Sequence, residues 1–275
     1  MTTAFVLGGG GVLGAVEVGM LRALFEADVS PDLVLGTSIG ALNGAMVARD
    51  PTIGVVERLT GLWREAGDSG GSSYVERALP AFRRAVATGT HLYSPRPMRQ
   101  QLTDEFGDTR IEDLAVPLQV CAASIERAAE HWFDSGPVVD AVLASAAVPG
   151  LLPPAKVGGE HYLDGGIVNS IPLARAVQLG ATRVFVLQVG RIDRPLKPPR
   201  KPWEVARTSF EIARRHRFVR ELAELPEHVE CHVLPARGTS ERDDTIRAAR
   251  DFRSVQRRID ETYEASVGYL EEHLR

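Results

Sequence analysis

The position in this chain best placed to do chemistry is a serine held between glycines. Leu33-Val34-Leu35 runs into Gly36-Thr37-Ser38-Ile39-Gly40 and then into the small-residue run Ala41-Leu42-Asn43-Gly44-Ala45. That is the strand, turn and helix a nucleophile elbow needs. Gly36 and Gly40 permit the tight turn and close backbone approach, and the helix N-terminus favours negative charge developing near Ser38. A hydroxyl is a poor nucleophile until a base takes its proton. Asp164-Gly165-Gly166, after the turn Gly158-Gly159-Glu160 and the run His161-Tyr162-Leu163, offers the best candidate. Gly165 and Gly166 let the chain turn sharply and leave the carboxylate at the end of its segment, with Asn169 and Pro172 to fix the loop beyond. Without Ser38, Asp-Gly-Gly would read as a plain turn.

A second glycine cluster, Gly8-Gly9-Gly10-Gly11-Val12-Leu13-Gly14, lies between the apolar run Ala4–Leu7 and a helical segment. Backbone N–H groups can converge there on an anion. As an oxyanion hole for Ser38 the loop comprises Gly9, Gly10, Gly11 and Gly14, with the N–H groups of Gly10 and Gly11 as donors. As a dinucleotide loop it would use Asp28 or Asp32 for the ribose. A third reading is an α/β-hydrolase triad, because His216, His228 and His232 follow Asp164 in the order serine, acid, histidine. His216 sits in Arg214-Arg215-His216-Arg217 on a helix surface, and His91, His131 and His161 precede or crowd the acid. No His/Asp/Glu cluster has metal-ligand spacing, so neither metal nor cofactor is expected. Cys121 and Cys231 lie in apolar runs without a CxxC partner and read as packing.

These groups need elements to position them. Apolar runs at Ala4–Leu7, Leu33–Leu35, Leu118–Ala122, Arg183–Val189 and Glu230–Leu234 read as buried strands. Helical segments at Ala15–Glu26, Ile39–Arg49, Ile53–Glu65, Val138–Ala147 and Ile171–Leu179 alternate with them. The expected fold is α/β, a three-layer α/β/α sandwich with a largely parallel central sheet. One domain over 1–275 is expected, with its core at about 3–190 and C-terminal helices near Trp203–Leu222 and Asp251–Leu274 packed on it with one strand. Residues 66–100 break the rhythm with a linker, Gly67–Ser73, and a further helix. That insertion reads either as a substrate lid or, the favoured view, as an amphipathic surface helix. The proline- and cation-rich stretch Arg191–Pro202 reads as an extended connector whose charge could meet lipid headgroups.

At 275 residues, 44% hydrophobic and 25% charged, with formal net charge −4, the chain has the profile of a globular protein. The charge balance calls for no nucleic-acid partner. The charge-free stretch Ala141–Ala155 is too short to span a bilayer and is broken by prolines. No secretory signal precedes the first apolar run, so a cytoplasmic setting, peripheral at a membrane at most, is expected.

Taken together, Gly9-Gly10-Gly11-Val12-Leu13-Gly14, Gly36-Thr37-Ser38-Ile39-Gly40, Ala144-Ser145-Ala146-Ala147-Val148-Pro149 and Asp164-Gly165-Gly166 resemble, in order and rough spacing, the patatin-like phospholipases. The resemblance covers about Thr3 to Gln188. It implies a Ser38–Asp164 dyad, a glycine-loop oxyanion hole, no cofactor, and hydrolysis of fatty acyl esters of phospholipids or related lipids, with transient contact at a membrane surface. Ser145 then matches a structural, pocket-lining serine. The family commonly carries Arg or Lys where this chain has Leu13, which puts acyl ester hydrolysis on firmer ground than phospholipid preference.

Overall fold

The computed structural model describes residues 1–73, 90–189, 195–200, 202–236 and 252–274. Its centre is an eight-stranded sheet. The strands are β1 (Thr3–Leu7), β2 (Leu33–Thr37), β3 (Leu118–Ser124), β4 (Ala129–Phe133), β5 (Ala155–Val157), β6 (Glu160–Asp164), β7 (Arg183–Leu187) and β8 (Glu230–Val233). The order β5-β6-β3-β2-β1-β7-β8 is parallel from β3 to β8, with β4, β5 and β6 antiparallel to their neighbours. Parallel pairing requires crossovers, and the helices that make them cover both faces.

The helices are α1 (Ala15–Glu26), α2 (Ile39–Arg49), α3 (Gly54–Ser73), α4 (Arg96–Phe106), α5 (Val138–Ser145), α6 (Gly166–Asn169), α7 (Leu173–Gln178), α8 (Pro202–Ala223) and α9 (Phe252–His273). Alternation along β1 assigns the two faces. Phe5 and Leu7 join α1, α2 and α9 in one core, while Ala4 and Val6 join Leu173, Phe218 and Val229 in the other. A fully buried side chain of Phe or Leu size contributes about 1.5–3 kcal/mol, so the sheet centre is firmly held.

The sandwich matches the sequence expectation, with three differences. First, the antiparallel strands β4, β5 and β6 are not among the expected strands; β4 arises from a hairpin with β3, turning at Ile125–Ala128, where Ala128 adopts φ 48°. Second, α3 runs on through Gly67–Ser73, read above as a linker, although each glycine there costs a helix about 1 kcal/mol relative to alanine. Third, α4 occupies the end of the expected 66–100 insertion. The lid or surface helix expected there falls largely on residues 74–89, outside the described residues. Among the described residues no helix is long and apolar enough to cross a membrane.

Candidate active site

Strand register brings Ser38 and Asp164 together. β4 occupies one edge of β3, so β2 and β6 must share the other. β2 pairs with Leu118–Cys121 and ends with Thr37 opposite Cys121. β6 comes from the opposite direction, pairs with Ala122–Ser124, and ends with Asp164 opposite Ala122. The two strands therefore meet end to end. Ser38 and Asp164, 126 residues apart in sequence, touch at that junction, with Ser38 Oγ donating to Asp164 Oδ2 at 2.6 Å.

The turn at Ser38 is strained by design, with the serine at φ 56°, ψ −120°. Both flanking glycines are sterically required. A Cβ on Gly36 would lie 2.4 Å from the Gly40 carbonyl oxygen, and one on Gly40 would lie 2.3 Å from that of Leu7. Ser145, at the end of α5, locks the turn. Its Oγ accepts the Ser38 N–H at 2.7 Å and donates to the Cys121 carbonyl at 2.5 Å. That bridge gives Ser145 a specific task the sequence did not reveal, because it joins three segments distant along the chain.

Asp164 is buried, with its second oxygen, Oδ1, accepting the Gly166 N–H at 2.8 Å. Burial pushes its pKa up to about 6, partly offset by the hydrogen bonds from Ser38 and Gly166. Desolvation makes Asp164 a stronger base than an ordinary aspartate while leaving the group ionised at neutral pH. Gly165 passes so close to β3 that a Cβ would meet the Cys121 carbonyl oxygen at 2.2 Å; a Cβ on Gly166 would meet the Phe210 ring at 2.4 Å. Thr37 Oγ1 donates to the Asn169 carbonyl at 2.8 Å and ties the elbow to the loop after Asp164.

The glycine loop lies beside Ser38. A Cβ on Gly9 would stand 3.4 Å from that of Ser38. The Gly9 N–H donates to the Ser170 carbonyl at 2.9 Å, and the Gly14 N–H to the Gly11 carbonyl at 3.1 Å. Both protons are engaged, so of the four loop glycines these two have no N–H to offer an oxyanion. Gly14 instead makes room for Ile39 and Trp63, whose side chains would lie 2.5 and 2.8 Å from a Cβ. Among the described residues no carbonyl accepts from Gly10 or Gly11, and Gly11 takes φ 56°.

The rival readings lose their geometry. Asp32 stands before β2, at the far end of the sheet from the glycine loop, and its Oδ2 accepts the Thr3 N–H at 2.7 Å. A ribose-binding acid belongs at the other end of β2, where Ser38 is. All seven histidines lie within the described residues, and none hydrogen-bonds Ser38 or Asp164. His232 is stacked on Phe185, and His161 pairs with Glu126 at 2.7 Å. Burial raises the Cys121 thiol pKa far above its usual range and that of Cys231 to about 11, so both are poor nucleophiles.

The sequence profile of the family described as Patatin-like phospholipase matches residues 5–177. The chain belongs to that family. Lysophospholipase nte1 of Emericella nidulans is 35% identical over 196 residues, covering 68% of this chain and 12% of the relative. Neuropathy target esterase sws of Drosophila melanogaster is 32% identical over 190 residues, covering 68% and 13%. The chain thus spans about one eighth of the length of these relatives. The crystal structure of VipD from Legionella pneumophila aligns with a TM-score of 0.48 at 13% identity, over 99% of this chain and 67% of that one. In this patatin-like phospholipase family member the matched region contains the glycine loop, the elbow, Ser145 and Asp164. Strand β7, β8, α8 and α9 lie beyond it, yet α8 reaches back to the site through Phe210.

Proposed function

We propose that the chain is a lipid acyl hydrolase, of phospholipase A or lysophospholipase type, working through a Ser38–Asp164 dyad. The observation that carries this reading is the buried 2.6 Å contact from Ser38 Oγ to an aspartate whose pKa is raised to about 6. Family membership and the lysophospholipase and esterase names of its relatives support the substrate class.

In the first half-reaction Asp164 Oδ2 takes the hydroxyl proton as Ser38 Oγ bonds to the acyl carbonyl carbon. The N–H groups of Gly10 and Gly11 stabilise the resulting oxyanion. Collapse expels the alcohol, which leaves with the proton from Asp164. Water then attacks the acyl-serine, gives a proton to Asp164, and releases the fatty acid as Ser38 recovers its hydrogen. No metal or cofactor enters the scheme. The substrate is a fatty acyl ester, with phospholipid the leading class; Leu13 brings no cation to the loop for a phosphate. Transient contact with a membrane surface follows from a lipid substrate.

The decisive experiment follows hydrolysis of a p-nitrophenyl acyl ester, then a lipid panel with released fatty acids read by mass. Ser38→Ala and Asp164→Asn are each expected to lower turnover by at least about 10³-fold. Substantial activity in either variant would overturn the dyad.

A further inference from the structure

Helix α8 has an inner face turned to the loops around Ser38 and Asp164 and an outer face that, among the described residues, is exposed. On the inner face, the Phe210 ring occupies the space opened by Gly166, whose N–H supports Asp164. One turn on, Arg214 Nη1 donates to the Val189 carbonyl at 2.9 Å. The Val189 side chain in turn fills the space a Cβ on Gly10 would take. Arg217 Nη1 donates to the Val168 carbonyl at 2.5 Å. The helix is therefore pinned both to the loop carrying the base and to the glycine loop.

The outer face presents Val205, Ile212 and Val219, at 50%, 56% and 56% exposure. Their spacing of seven keeps them within about 40° of one another around a helix of 3.6 residues per turn. Exposed Arg220 flanks this stripe on one side and Arg215, paired with Glu211 at 3.2 Å, on the other, and exposed Ser209 and His216 interrupt it. Exposed Leu196 and Arg200 lie on the segment leading into the helix. Setting aside Arg214, Arg217 and Glu221 of the inner side, the sequence from 195 to 223 has six Lys or Arg against two Glu, while the whole chain carries more acid than base.

An apolar stripe bordered by cations is the pattern of a helix lying at a lipid–water interface. We infer that the outer face of α8 docks on an anionic lipid surface and brings the dyad to its substrate there. This inference rests on the acyl hydrolase reading. Charge favours lipid over a second copy of this chain, because a copy of the same face would set like charges against each other. Anionic headgroups attract basic residues near the bilayer. With Ser209 and His216 interrupting the stripe, its apolar reach is shallow, so attraction to headgroups must contribute. Binding should therefore weaken as salt rises. A helix with its side chains is about 10–12 Å across, so a surface touching Ile212 lies roughly that far from the Gly166 that Phe210 covers.

The test sediments full-length Ser38→Ala protein with phosphatidylcholine vesicles, with and without phosphatidylglycerol. Binding is expected only where phosphatidylglycerol is present, and the added pair Ile212→Asp and Val219→Asp should weaken it by at least about tenfold. In the Ser38 background, the same pair should leave hydrolysis of a soluble short-chain ester within about twofold while cutting release of fatty acid from vesicles. That control also reports folding. Unchanged vesicle binding in the pair variant would overturn the inference, as would a dimer that the same substitutions dissociate. Vesicle binding without ester hydrolysis by the Ser38 protein would instead refute the acyl hydrolase reading and leave the docking face standing.

Discussion

At the scale of single residues, a carboxylate is made basic by leaving water, and that has two consequences of opposite value. In the proposed mechanism Asp164 must be ionised to accept the Ser38 proton, so kcat/KM should fall about tenfold per pH unit below about 6. A pH–rate profile on a soluble ester checks this, and a limb near the ordinary aspartate value would contradict the role of burial. The second consequence concerns stability. The folded pKa lies above the unfolded one, so between the two values the native state holds more protons and stability falls as pH rises from about 4 to about 6. Above that range the ionised group carries the full cost, of about 3 kcal/mol for a two-unit shift. Asp164→Asn can keep the Gly166 hydrogen bond without that charge. The inactive variant should thus be more stable than the parent at pH 7, by about 1–3 kcal/mol, and should lose its advantage near pH 4. Denaturant melts at the two pH values would show it.

At the scale of elements, a buried polar pair fixes the glycine loop to the nucleophile helix. Asn43 of α2 donates from Nδ2 both to the Gly14 carbonyl at 3.0 Å and to Glu17 Oε2 of α1 at 2.7 Å. Glu17 is fully buried, and burial drives its pKa well above the usual carboxylate value, against the opposing hydrogen bond from Asn43. A neutral acid fits such a site better than an uncompensated charge. Glu17→Gln is accordingly expected to stay within about 1 kcal/mol of the parent, whereas Asn43→Leu, which strips a buried acceptor of its donor, should cost about 1–3 kcal/mol and lower kcat more than it alters KM. Thermal melts beside steady-state kinetics separate the two, and a severe loss in Glu17→Gln would mean the group is charged. This contact was invisible in the sequence because Glu17 sits in a helical pattern whose polar positions ordinarily face solvent. Ser38 and Asp164 were legible for the converse reason, since each carries its own local glycine signature. The β2–β6 junction that joins them was not, because it depends on β3, whose register no short window contains. The β3–β4 hairpin escaped notice because Ala128 takes the backbone conformation that Gly or Asn would have advertised.

At the scale of the whole molecule, the C-terminal third packs into the same sheet and helix layers although it lies beyond the family match. Strand β8 extends the sheet beside β7, α8 braces the loops around the dyad, and α9 lies along α1, the helix that follows the glycine loop. The sequence indicated these helices by their periodicity, but their partners are set by close packing. Gly19 of α1 shows how tight that packing is. A Cβ there would lie 2.2 Å from the Ile259 carbonyl oxygen and 2.8 Å from the Tyr263 nitrogen, so the α9 backbone itself is the neighbour. Along the same seam, Arg22 stacks over the Tyr263 ring at 4.0 Å, and Tyr263 Oη donates to Glu26 at 2.5 Å. A backbone cannot rotate out of the way as a side chain can, so Gly19→Ala must push the two helices apart. Overpacking of this kind costs about 1–3 kcal/mol, and at roughly 2–4 °C per kcal/mol for a chain of this size the melting temperature should fall by several degrees. Because Ser38 and Asp164 stand at the ends of β2 and β6 rather than on the seam, the folded fraction should keep kcat for a soluble ester near the parent value. A variant that melted like the parent would show that α9 does not hold this place on α1; one that melted normally but lost kcat would show that the seam acts on the glycine loop rather than on stability.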